Sequence, residues 1–76
     1  MDLSKPIRIE RPKQLKSIIN ALADALSSGD FEMISGDLQW SDYVECKVRH
    51  KQTGQKWRVH CETYHGSGGA WEPLNE

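Results

Sequence analysis

Residues Tyr43–Tyr64 read YVECKVRHKQTGQKWRVHCETY, and their alternation decides the fold. On either side of Gly54 every second residue separates into two faces. One carries Val44, Cys46, Val48, His50, Trp57, Val59, Cys61 and Thr63. The other carries Tyr43, Glu45, Lys47, Arg49, Lys51, Lys56, Arg58, His60, Glu62 and Tyr64. A period of two with a turn at its middle predicts a β-hairpin that buries one side. A loop centred on Thr53-Gly54 places Cys46 opposite Cys61, and a loop of Gly54-Gln55 places it opposite Thr63. Either register leaves the two faces as they are, because a shift of two residues preserves the pleat.

Outward from the hairpin, Phe31, Met33 and Ser35 alternate with Glu32 and Ile34. Gly36-Asp37 then suits a two-residue turn with glycine first. Leu38, Trp40, Val44, Cys46 and Val48 continue one parity, which puts Trp40 in the core. Asp42 falls on the apolar side and predicts a bulge, a bend or a strand end near Ser41-Asp42. Upstream, Leu15, Ile18, Ile19, Leu22 and Leu26 recur at spacings of three and four, an amphipathic helix. Pro12 suits its first turn and Gly29 the residue just past its end. Lys13 and Lys16 lie in the early turns, where the helix dipole disfavours cations.

Pro6–Glu10 reads as a short strand or an extended arm, since a proline holds the residue before it extended. After the hairpin, His65–Gly69 reads as a glycine-rich connection. Ala70–Glu72 reads as a last short strand, which Pro73 ends or marks as an edge. The expected fold class is α+β: one N-terminal amphipathic helix packed on an antiparallel meander of three to four strands, helix first. It occupies residues 1–76 as a single domain, with 1–11 an extended arm or short strand.

The chain has 76 residues and a formal net charge of −1, so nothing pulls it as a whole toward nucleic acid or membrane. Its charge is nevertheless segregated. Every Lys and Arg lies before Ser17 or after Cys46, and Asp24, Asp30, Glu32, Asp37, Asp42 and Glu45 come between. Two cysteines are too few for a secreted disulfide scaffold. The start MDLSKPIRIERPK is charged and has no apolar run, which fits a cytoplasmic protein without a signal peptide. No stretch approaches the roughly 20 apolar residues a membrane helix needs.

Four groups of residues invite a chemical reading. The exposed hairpin face gathers Lys47, Arg49, Lys51, Lys56, Arg58 and His60, with Tyr43 and Tyr64 at its far end. Cations facing one another across strands are unfavourable, so such a face either splays into water or meets an anionic partner. Cys46, His50, His60, Cys61 and His65 are zinc-binding types, but their spacing matches no finger and C-x-x-C is absent. His60 and Cys61 are strand neighbours and point to opposite faces. No metal or other cofactor is therefore expected. Catalysis by Cys61 with His65 or His50 needs a depressed thiol pKa, which a core-facing cysteine lacks. Gly66–Gly69 resembles a phosphate loop only in its glycines, since it lacks the Lys-Ser/Thr ending. Trp40 and Trp57 read as core, and Trp71 as buried against sheet or helix.

These readings lead to an expectation of a non-enzymatic interaction module. It binds a macromolecule, chiefly an acidic protein surface, through Lys47, Arg49, Lys51, Lys56 and Arg58, with Tyr43, His60 and Tyr64 beside them. The second reading is nucleic-acid binding by the same face. The third is a small metal- or thiol-dependent protein built on Cys46, Cys61 and the nearby histidines. A homodimer is a further partner reading, because short sheets with open edges pair readily.

Overall fold

The structure is a computed structural model and describes residues 1–63 and 68–75. Its element order is β1 (Ile7–Ile9), α1 (Pro12–Ser28), β2 (Phe31–Gly36), β3 (Tyr43–His50), β4 (Lys56–Glu62) and β5 (Gly68–Leu74). The strands form one antiparallel sheet in the order β1-β5-β4-β3-β2. The α+β class is as expected, but the sheet has five strands instead of three or four. The helix is also not the first element. Ile7–Ile9 pairs with Gly69–Trp71 and closes the sheet on its far side.

Helix α1 starts at Pro12, and the Gln14 side-chain oxygen accepts from the backbone N–H of Glu10 (2.7 Å) and Arg11 (2.9 Å). Gly29 closes it, and Asp30 N–H then bonds to Ala25 O at 2.9 Å. Its apolar stripe buries Leu15, Ile18 and Leu22 against Ile9, Phe31, Val44, Cys46, Val48, Trp57, Val59, Cys61 and Trp71 in one cluster. Lys16, in an early turn, lies with its ammonium 5.7 Å from the centre of the Trp40 ring, a cation–π contact that offsets its unfavourable place on the dipole.

The main hairpin takes neither expected register. Cys46 stands opposite Val59, and Cys61 opposite Val44. His50 N–H donates to Gln55 O and Gly54 N–H to His50 O, both at 2.8 Å, so the turn spans the four residues Lys51–Gly54. Gly54 supplies the left-handed conformation (φ 77°) at the end of that turn and not at its centre, where the alternation alone sets it. The displacement is even, so every inner residue stays inner.

Three other expectations change. Gly36-Asp37 is no turn: β2 pairs onward to Gly36 opposite Cys46, and Asp37 N–H reaches Glu45 O. The chain bends at Ser41-Asp42, as the parity break requires. Trp40 falls in the irregular stretch between β2 and β3 and is 46% exposed, because parity carries no information once a strand has ended. Gly68 and Gly69 belong to β5, where a Cβ on Gly69 would strike the His60 carbonyl; the glycines let β5 lie close to β4. Pro73 sits in β5 beyond the reach of the short β1, where its missing N–H costs no ladder bond on that side.

Candidate functional site

Helix α1 covers one face of the sheet and leaves the other open. The pleat aims Tyr43, Glu45, Lys47 and Arg49 of β3, and Lys56, Arg58, His60 and Glu62 of β4, at the open side, while their neighbours enter the core. The register fixes the rows of this face. Lys47 is directly opposite Arg58, and Arg49 directly opposite Lys56. Glu32 of β2 extends the second row, and Glu72 of β5 the first.

The face is therefore basic at its centre and laced with carboxylates. Arg49 Nε donates to Glu32 Oε1 at 2.6 Å. Arg58 is a hub: Nε and Nη2 donate to Glu45 Oε2 at 3.0 and 2.7 Å, and Nη1 lies 4.0 Å from Glu72. Arg58 also reaches the Tyr43 hydroxyl at 3.4 Å. His60 Nε2 is 3.2 Å from the same Glu72 carboxylate. The hydrogen bond from Arg49 holds the Glu32 carboxyl below its ordinary value, and the bond to Glu45 raises Arg58 above its own. Lys47 and Lys56 have no ion-pair partner among the described residues.

The structure thus gathers Tyr43, Lys47, Arg49, Lys56, Arg58 and His60 on one face. Lys51 leaves it. The strand ends at His50, so Lys51 lies in the turn, and its ammonium stands 3.9 Å from the space a Cβ on Gly29 would fill, at the negative end of α1. Tyr64 and His65 lie outside the described residues. The sequence reading missed Glu32, Glu45 and Glu72 as partners. Glu45 shares the parity of the cations and was legible as a neighbour, whereas Glu32 and Glu72 needed the registers of β2 and β5.

The thiols are differently placed. Cys46 and Cys61 are free and buried. Burial, with the charge of Asp37 added, pushes the Cys46 thiol up to about 11; burial raises Cys61 as well. The Cys46 thiol donates a weak hydrogen bond to Met33 Sδ at 3.2 Å. Among the described residues no three of His, Cys, Asp and Glu group closely enough to hold a metal ion, and no helix is long and apolar enough to cross a membrane. No protein-family model, curated protein or solved structure matches the chain.

Proposed function

We propose that this chain is a non-enzymatic binding module whose open sheet face docks a macromolecular partner. One observation carries the reading: Lys47 faces Arg58, and Arg49 faces Lys56. Like charges directly opposite on a sheet oppose folding, and a carboxylate at either lysine would complete an ion pair instead. Carboxylates compensate the two arginines but neither lysine among the described residues, and a local rule left partly broken is expected where a surface serves something other than stability.

The partner that fits is a protein surface with carboxylates aimed at Lys47 and Lys56. The interspersed Glu32, Glu45, Glu62 and Glu72 would repel a continuous track of phosphates, and they suit a partner of mixed charge. Charge-assisted bonds from the two lysines would set orientation and association rate more than raw affinity.

The test is affinity capture from the source cells by the wild-type chain and by Lys47→Glu/Lys56→Glu, each with and without nuclease. The expected result is a protein partner that survives nuclease and is lost with the double reversal. Capture that disappears on nuclease treatment would turn the reading to nucleic acid. Capture unchanged by the reversal would remove the open face as the site.

A further inference from the structure

The sheet has two edges, and they are built differently. β1 forms one with three residues set between Pro6 and Pro12, with Arg8 at its middle. Short length, proline and charge are devices that keep an edge from pairing. β2 forms the other with six residues, Phe31–Gly36, and carries neither proline nor cation. A strand paired on one side leaves a row of backbone N–H and C=O groups open on the other.

Apolar side chains collect at this second edge. Apart from Met1, the exposed large apolar residues among those described are Met33, Ile34, Trp40 and Tyr43, on β2 and in the stretch that leads into β3. Met33 and Ile34 stand at the middle of the strand and are 44% and 45% exposed. The one charged side chain of β2, Glu32, is held by Arg49 of the neighbouring strand, so it does not guard the edge.

The edge also matches itself. Partners on β3 fix the faces of β2: Phe31, Met33 and Gly36 lie on the helix side, opposite His50, Val48 and Cys46, and Glu32 and Ser35 on the open side, opposite Arg49 and Lys47. Ile34 is the extra residue of the bulge between Met33 and Ser35. A two-fold axis normal to the sheet pairs two copies of β2 antiparallel and keeps every side chain on its own face. With all six residues paired, Phe31 stands opposite Gly36 of the second copy and Glu32 opposite its Ser35. The faces agree at both pairs, because the two bulges compensate about the axis. The two Glu32 carboxylates do not oppose each other, and Met33 and Ile34 of both copies gather at the axis. A slip of one residue either way sets a helix-side residue against an open-side one.

We infer that the β2 edge docks a second copy of this chain, giving a two-fold dimer in which the five strands of each copy form one continuous sheet. Both helices lie on one side of it and both open faces on the other. A single strand pair buries less than the roughly 1,200 Å² of a stable interface, so the dimer should half-form at about 0.1 mM.

The test is sedimentation equilibrium of the full chain from about 10 µM to about 1 mM, joined to NMR of a mixture of isotopically labelled and unlabelled chain. The expected result is a monomer at the low end, a dimer at the high end, and NOEs between copies that join Met33 to Ile34. Ile34→Lys places a cation at an exposed position on the axis and should weaken the dimer at least about tenfold with the fold intact. Arg8→Glu, at the other edge, should leave the dimer as it is. A monomer at the highest concentration would overturn the inference and leave the edge to a strand of another protein. A dimer indifferent to Ile34→Lys, a dimer lost with Arg8→Glu, or NOEs between copies at β1 or Lys47 in place of β2 would each overturn it as well.

Discussion

The two faces of β3 and β4 come from the same residues in alternation, and they obey different rules. On the inner face Val44, Cys46, Val48, Trp57, Val59 and Cys61 are all buried, joined by Trp71, Ile9, Phe31 and the helix stripe. On the outer face, cation opposes cation in two successive rows, and carboxylates from flanking strands are drawn in beside them. Removing a large buried side chain costs about 2–5 kcal/mol, whereas an exposed ion pair contributes about 0–1 kcal/mol. Because the inner face carries the folding energy, the outer face can tolerate an unfavourable arrangement.

That contrast can be broken from the inside first. Trp71 is fully buried, stacks on Trp57 and bonds Leu3, so Trp71→Ala should lose about 3–5 kcal/mol in urea denaturation, much of a small domain's stability. A loss under about 1 kcal/mol would mean that the core is not where stability resides. Gly69→Val is next. Its side chain must displace the His60 backbone and should cost about 1–3 kcal/mol, visible as a lower denaturation midpoint.

The outer face should respond weakly. Arg58→Ala removes the hub shared by Glu45 and Glu72, yet its side chain remains 28% exposed, so the loss should stay below about 1 kcal/mol and shrink in high salt. A smaller effect still is confined to acid. The Glu32 carboxyl is depressed in the fold by Arg49, so its contribution is present above the ordinary glutamate value. It is lost as pH falls through the lower folded value. Carboxyl NMR should find Glu32 titrating below the ordinary value, and Arg49→Ala should bring it back up. Titration of Glu32 at the ordinary value in the wild type would show that the ion pair does not persist in solution.

The sequence carried this division of faces because period two is a local property. The two expected registers miss by two and by four residues at the Lys51–Gly54 turn, which changes every cross-strand partner and moves no side chain between faces. The helix was legible for the same reason, with Pro12 and Gly29 as its limits. What was not legible depended on nonlocal geometry. Pro6–Glu10 reads equally as arm or short strand, and only pairing with residues some sixty positions away decides for the strand at Ile7–Ile9. Gly68 and Gly69 read as loop because nothing local marks a strand that must approach its neighbour closely. Trp40 read as core because its parity was extended past the end of a strand. For the candidate site, the like-charge rows were foreseen in kind, but Lys51 and the Glu32 and Glu72 partners followed only from where strands end and how they align.

The measurement that tests the account most directly takes Lys47→Glu/Lys56→Glu and reads denaturation midpoint and partner capture on the same protein. Each reversal converts a directly opposed pair of cations into an ion pair with Arg58 or Arg49. The account predicts a midpoint equal to or above wild type together with loss of capture, so that stability and binding move apart. A lower midpoint, or capture retained at wild-type strength, would contradict it.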